Sequence, residues 1–199
     1  MSERRADDLT GDPADAADDA VADAAGPAER PYKVTVVCWG NICRSPMGEF
    51  LLREAFEQAG LSDRVVVDSA GTSSEEIGSG AHPRTLAVLR RNGHADNGWA
   101  DHVARKFERS WFDESDLVLP VDHVHVERLD ALARSDADRA KVHLFRSFDP
   151  DAVAAGEVGM DDPWYGTDPA YDQTYDEVVA AVPGIVDFVR GELGDRDRA

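Results

Sequence analysis

Only two cysteines occur among 199 residues, and both stand in one short loop, as Cys38 and Cys43. That excludes a disulfide-stapled secreted scaffold, and nothing in the chain has the paired spacing of a zinc site. Positive charge is scarce as well. Twenty-one Lys and Arg stand against forty Asp and Glu, a formal net charge of −19, which argues against nucleic acid or an anionic membrane surface as a general partner. No apolar run reaches the length of a membrane-spanning helix. The N-terminus, Met1-Ser-Glu-Arg-Arg-Ala-Asp-Asp8, has no apolar core behind its arginines, so no secretory signal is read and a cytoplasmic location is expected. Internal repeats are absent too.

The length fits one domain of ordinary size plus a tail. Residues 1–30 are rich in Ala, Asp and Pro, and with nine acids and three arginines they hold −6 of the net charge. They are expected to be a disordered acidic tail, with residues 31–199 forming the domain, as a monomer or weak dimer.

Against that acidic background one stretch stands out, Val34-Thr-Val-Val-Cys-Trp-Gly-Asn-Ile-Cys-Arg-Ser-Pro46. A β-branched apolar run stops at Cys38 and a helix starts near Ser45, leaving six residues to curl between them. Gly40 permits a positive φ or a close backbone approach. Ser45 is a good N-cap, and Pro46 suits the first helical position, where its missing N–H costs nothing. Inward N–H groups and the positive end of the helix together make a nest for a phosphate-sized dianion, and Arg44 adds a two-pronged donor. The same field favours a thiolate at Cys38. A tight turn around a structural cysteine also accounts for Gly40 and Pro46, but it leaves Asn41, Arg44 and Ser45 without a role.

The rest of the chain alternates strand and helix. Pro46 to Ala59 is amphipathic, with Met47, Phe50, Leu51, Ala55 and Phe56 on one side and Glu49, Arg53, Glu54 and Glu57 around the rest; Gly60 closes it. Strands are read at Arg64–Ala70, Asp116–Val121 and Lys141–Phe145, and helices at Pro83–Asn92, Asp122–Arg134 and Tyr171–Leu193, the last kinked or divided by Pro183. The turn-rich loop from Gly71 to Ala81 should rim the site. His123 and His125 would face one way on a strand, a weak metal signal without a third ligand nearby, so no metal is expected. The pattern implies a doubly wound α/β domain, flavodoxin-like and three-layered. Its four-stranded parallel sheet would carry helices on both faces and the ligand loop at the carboxyl end of the first strand.

A thiolate attacking phosphorus needs a group to protonate the departing oxygen. The best candidate loop is Met160-Asp-Asp-Pro-Trp-Tyr-Gly166, where two acids and two aromatics precede the last helix.

The run Cys38-Trp-Gly-Asn-Ile-Cys-Arg-Ser-Pro-Met-Gly-Glu49 resembles the signature loop of the low-molecular-weight protein tyrosine phosphatases, in which the first cysteine is the nucleophile and the arginine binds phosphate. The resemblance implies a phosphotyrosine phosphatase I-like fold and a phosphate-binding loop of Trp39, Gly40, Asn41, Ile42, Cys43 and Ser45, with Cys38 and Arg44 catalytic. It also spans Asp68-Ser-Ala-Gly-Thr72, Pro83-Arg84, Asp101-His-Val-Ala-Arg105 and Ser147-Phe-Asp-Pro150. Met160 to Gly166 is similar to the family's Asp-Pro-Tyr-Tyr loop, which makes Asp162 the general acid, with Trp164 in place of the first tyrosine. Carried over, Ser69 and His102 would support Asn41 and Ser45 from behind, and the Ser45 hydroxyl would help the Cys38 sulfur leave. His82 stands where the family usually has aspartate, and Val121-Asp-His-Val-His125 replaces a Met-Asp-x-x-Asn pattern.

The implied reaction is a two-step hydrolysis of phosphotyrosine in a protein substrate through a cysteinyl phosphate, releasing inorganic phosphate and needing no cofactor. Trp39, Trp164 and Tyr165 are the expected walls for a flat leaving group. The near alternative is a protein-arginine phosphatase, although relatives with that activity carry threonine where this chain has Ile42. Arsenate reduction ranks lower, because the thioredoxin-coupled reductases use further cysteines and this chain retains Asp162. Two readings of Cys43 stand side by side: a partner that captures oxidised Cys38 as a disulfide, or a small apolar filler beneath the loop.

Overall fold

A continuous apolar run needs cover on both faces, and β1, Tyr32–Cys38, has it: all but one of its residues are buried. In the computed structural model, which describes residues 30–198, β1 is the centre of a sheet ordered β2-β1-β3. The expected disordered tail lies, but for Arg30, outside the described residues. β2, Val65–Gly71, and β3, Leu117–Pro120, both run parallel to β1. The register sets Tyr32 beside Val65 and Cys38 beside Gly71, and on the other edge Val34 beside Leu117.

Between the strands come α1 (Arg44–Gln58), α2 (Pro83–Arg91) and a single-turn α3 (Trp111–Glu114). After β3 come α4 (His123–Leu132), the one-turn α5 (Asp136–Arg139), α6 (Pro150–Ala155) and the long α7 (Asp168–Arg196). Short 3₁₀ turns sit at Phe145–Phe148 and Pro163–Tyr165. Alternate residues of β1 feed two cores. Val34 and Val36 pack with α1 and α7, while Val37 joins Phe107, Phe112, Val118 and Leu129 on the opposite face. Helices therefore cover both sides of the sheet. No helix among the described residues is long and apolar enough to cross a membrane.

Four local expectations are corrected. Lys141–Phe145 is not a fourth strand, and the sheet among the described residues has three. The segment touches it through one parallel bridge, Val118 with Val142, then turns at Leu144 into the 3₁₀ turn. The core takes the side chain that a longer ladder would have turned: Phe145 is fully buried against Gly48 of α1, where an added Cβ would come within 3.1 Å of the ring.

Helix α1 begins two residues earlier than expected from Ser45 as N-cap and Pro46 as the first helical residue. Cys43 holds the N-cap position without a side-chain cap, and Ser45 lies inside the first turn, its hydroxyl turned to other work. The end of α1 follows expectation, since Gly60 takes φ +70° and the Leu61 N–H returns to the Phe56 carbonyl.

Pro183 does not divide α7, which runs unbroken for 29 residues. Burial pins the helix on both sides of the proline, through Val178 and Ala181 before it and Ile185, Val186 and Val189 after it. Gly184 lets this stretch press on the turn below, since a Cβ there would fall 2.2 Å from the Phe148 carbonyl oxygen. Lastly, His123 and His125 are on α4, not on a strand, so their two-residue spacing sends them apart: His123 is exposed and His125 fully buried.

Candidate active site

β1 delivers Cys38 to the carboxyl edge of the sheet, and β2 passes close enough to hold the loop that follows. Thr72 and Ser73 donate their N–H groups to the carbonyls of Cys38 and Trp39, each at 2.9 Å. Only glycine fits at position 71, because a Cβ there would lie 2.5 Å from the Trp39 carbonyl oxygen. Within the loop the left-handed residue is Asn41, φ +59°, the one non-glycine of positive φ among the described residues. Gly40 serves the other role open to it, close approach: a Cβ there would meet the Glu76 side chain at 3.1 Å. The turn aims the Asn41 N–H at Cys38 Sγ, 3.3 Å away, and the Ser45 hydroxyl sits 3.0 Å from the same sulfur. Two polar groups thus converge on one buried thiol.

A left-handed asparagine is held there by its own side chain. Its Nδ2 donates to Ser45 Oγ at 3.0 Å and to Ser69 Oγ at 2.8 Å, while Oδ1 accepts from the Arg105 N–H at 3.0 Å. The Asn41 carbonyl lies 2.8 Å from His102 Nε2. The structure thus brings Ser69 and His102 together on Asn41. Behind them stands Glu49, which accepts from the Ser69 hydroxyl and pairs with Arg53. The amphipathic pattern put Glu49 on the outer face of α1, yet it is buried, and burial pushes its carboxyl above the ordinary range. Burial lowers His102. One signal for Glu49 was present in the sequence: it follows Ser45 by four residues, so the helical face that turns Ser45 inward turns Glu49 inward too.

Arg44 joins the loop to the distant acid. Its Nη1 donates to the Met160 carbonyl at 2.9 Å and its Nη2 to Asp162 Oδ2 at 2.6 Å, across 118 residues of chain. The other carboxylate oxygen of Asp162 caps the 3₁₀ turn by accepting from the Trp164 N–H at 3.2 Å. The acid loop is in turn tied to the sheet, since the Met160 N–H reaches the Val121 carbonyl.

Cys38, Arg44 and Asp162 line one cavity of about 110 Å³ with Trp39, Gly40, Ile42, Cys43, Trp164 and Tyr165. Glu75 and Glu76 complete the lining. They belong to the loop expected to rim the site, but nothing in their local sequence singled them out. His82 meets Trp164 edge-on and stacks on Tyr171, both at 5.3 Å between ring centroids.

Cys43 lines the cavity and packs in a small apolar cluster with Ile42, Ala104 and Tyr171. Its sulfur is 3.4 Å from the Tyr171 hydroxyl, and burial pushes its thiol up to about 12.

Among the described residues no group of three or more His, Cys, Asp or Glu could hold a metal ion. His125 is buried with neither ring nitrogen hydrogen-bonded; burial, then Arg44 and Arg128 nearby, depress it from 6.5 to about 3. The native fold therefore keeps this ring neutral while the unfolded chain protonates it. Its contribution to stability is complete above about pH 6.5 and is lost as the pH falls toward 3, at up to about 1.4 kcal/mol per pH unit. In urea titrations at pH 7 and pH 4.5, His125→Leu should lose about 2 kcal/mol less than wild type between the two. Equal losses would show that the ring is not held neutral.

With this geometry in hand, comparison with known proteins gives a consistent answer. The sequence profile described as "Low molecular weight phosphotyrosine protein phosphatase" matches residues 33–194. A Streptomyces coelicolor protein named low molecular weight protein-tyrosine-phosphatase is 46% identical over 166 residues, covering 83% of this chain and 98% of the relative. Low molecular weight protein-tyrosine phosphatase A of Mycobacterium tuberculosis is 35% identical over 163 residues, covering 82% and 94%. Among solved structures, a protein tyrosine phosphatase from Entamoeba histolytica shares the fold with TM-score 0.72 at 24% identity, covering 82% of this chain and 99% of that one. Vibrio vulnificus Wzb, solved with benzylphosphonate, superposes with TM-score 0.64 at 26% identity, over 78% and 97% of the two chains.

Proposed function

This chain belongs to the low molecular weight phosphotyrosine protein phosphatase family, and from that premise we propose that it is a protein-tyrosine phosphatase working through a cysteinyl phosphate at Cys38. The Cys38 sulfur attacks phosphorus, the bond to the phenolic oxygen breaks, and Asp162 gives that oxygen its proton. In the second step the Asp162 carboxylate takes a proton from water, the water oxygen attacks phosphorus, and the S–P bond breaks to return the thiolate and release inorganic phosphate. The loop N–H groups and Arg44 stabilise the charge that builds on the equatorial oxygens. The Ser45 hydroxyl, 3.0 Å from the sulfur, donates to it as it leaves.

The observation that carries this reading is convergence: a thiol from the end of β1, a guanidinium from the first turn of α1 and a carboxylate 118 residues further on line the same small cavity. Trp39, Trp164 and Tyr165 supply aromatic surface at its mouth, which supports a phosphotyrosine-containing protein as substrate. The benzylphosphonate in the Vibrio vulnificus neighbour is an arylmethyl phosphonate, whose CH2 stands where a phenyl phosphate has its ester oxygen. Ser69, His102 and Glu49 act from behind by fixing Asn41, and residues 31–199 make up the phosphatase domain. The reading includes a cytoplasmic location and a monomer or weak dimer.

Substrate class is tested by rate. A phosphotyrosyl peptide and its phosphoarginyl counterpart, assayed together for phosphate release, should differ strongly in favour of tyrosine. Much faster release from arginine would overturn the substrate class while leaving the cysteine mechanism standing.

A further inference from the structure

Trp39 is gripped from two sides by residues that the chemistry above leaves unused. Its indole Nε1 donates to Glu75 Oε2 at 2.9 Å. Over its ring lies the Arg128 guanidinium, 3.8 Å from the centroid. Glu75 comes from the loop after β2 and Arg128 from α4, the helix after β3. The segments that follow the two flanking strands thus each send one residue to the tryptophan that follows β1. Arg128 forms no ion pair among the described residues, although the chain carries forty acids. Its charge is directed at the ring face, the geometry of a cation–π contact.

We propose that Arg128 and Glu75 are positioning residues that clamp Trp39 as a fixed wall, and that through it they set the preference of the site for aryl over alkyl phosphate groups. The proposal rests on the phosphatase reading and deepens it. A large side chain on a loop that must be ordered on ligand binding costs affinity, and a wall already fixed before the ligand arrives avoids that cost. The benefit goes only to ligands that touch the wall. A phosphate on a flat ring reaches the indole, whereas a phosphate on a short alkyl group sits on the loop N–H groups and Arg44 and leaves the wall untouched. Glu75 also fixes the indole's edge, so the ring can neither flip its N–H inward nor swing off the guanidinium.

Affinity for phenylphosphonate and for methylphosphonate, measured by calorimetry on the full chain, separates these effects without requiring turnover. Arg128→Ala should weaken phenylphosphonate by about three- to five-fold, the span expected for an exposed cation–π contact, and leave methylphosphonate unchanged. Arg128→Lys, which keeps a cation over the ring, should recover part of the loss. Glu75→Gln, which keeps an acceptor for the indole N–H, should stay close to wild type, and Glu75→Ala should weaken phenylphosphonate alone. In a Trp39→Leu background Arg128→Ala should have no further effect, because the residue acts only through the indole. Equal weakening of both phosphonates by Arg128→Ala, or a loss that persists in Trp39→Leu, would overturn the proposal and make Arg128 a direct anion ligand. No change in either affinity would overturn it as well. Failure of the phosphatase reading would look different, as wild type that binds phenylphosphonate yet releases no phosphate from phosphotyrosine.

Discussion

The Cys38→Ser protein is expected to release p-nitrophenol from its phosphate more slowly than wild type by on the order of 10⁴-fold or more. The reason is chemical more than steric. The Asn41 N–H and the Ser45 hydroxyl lie 3.3 and 3.0 Å from the sulfur, and both can serve a serine oxygen in the same place. A hydroxyl, however, does not ionise in this pH range as a thiol does, and among the described residues no histidine or carboxylate is hydrogen-bonded to position 38 to take its proton. The loop, Arg44 and the aromatic mouth remain, so Cys38→Ser should still bind phenylphosphonate within a few-fold of wild type. Loss of binding together with activity would mean that the loop itself had collapsed.

The second large effect is at Asp162. Asp162→Ala should slow hydrolysis of phosphotyrosine by about 10²- to 10⁴-fold, the usual worth of a positioned general acid. The loss should be smaller for p-nitrophenyl phosphate, whose phenolate leaves without help. That dependence on leaving group distinguishes an acid catalyst from a residue that only shapes the site. Asp162 also pairs with Arg44, whose side chain is only 4% exposed, so Asp162→Ala removes the partner of a buried charge. Asp162→Asn controls for this, since its amide oxygen can take the place of Oδ2 as acceptor for the Arg44 guanidinium, at the cost of the Oδ1 contact with the Trp164 N–H, and it has no acidic proton to give. Both variants should lose phosphotyrosine activity alike. If Asp162→Asn turned over phosphotyrosine at the wild-type rate, the acid would have to be sought elsewhere.

The βαβ unit that carries the loop was legible in the sequence because each of its signals is local. The apolar run of β1, the amphipathic face of α1 and Gly60 at its end all lie within three dozen residues. The loop was legible for a related reason: a cysteine, an arginine and a hydroxyl at short fixed spacing describe an anion site before any fold is known. Misreadings occurred where a distant partner decides. Lys141–Phe145 has strand composition, but the gap beside Gly48 claims Phe145 and turns the chain out of the sheet. Glu49 belongs to an outward-facing class of residue, and its partners Arg53, Ser69 and His102 make its burial tolerable. Gly40 is the residue that chain chemistry offers for a positive φ, yet Asn41 takes it because four hydrogen bonds hold Asn41 in place. The grip of Arg128 on Trp39 spans two strands and has no signature in either segment.

The Asp162 variants also give the most direct access to the intermediate. With p-nitrophenyl phosphate the first step of Asp162→Ala stays fast while the second lacks its base, so the phosphorylated enzyme should accumulate. Rapid acid quench followed by peptide mass analysis should find one phosphoryl group on the peptide containing Cys38, formed with a burst of p-nitrophenol of about one equivalent per enzyme. A burst with the phosphoryl group on Ser45 or His102, or steady release with no phosphorylated enzyme at any time, would contradict a cysteinyl-phosphate mechanism.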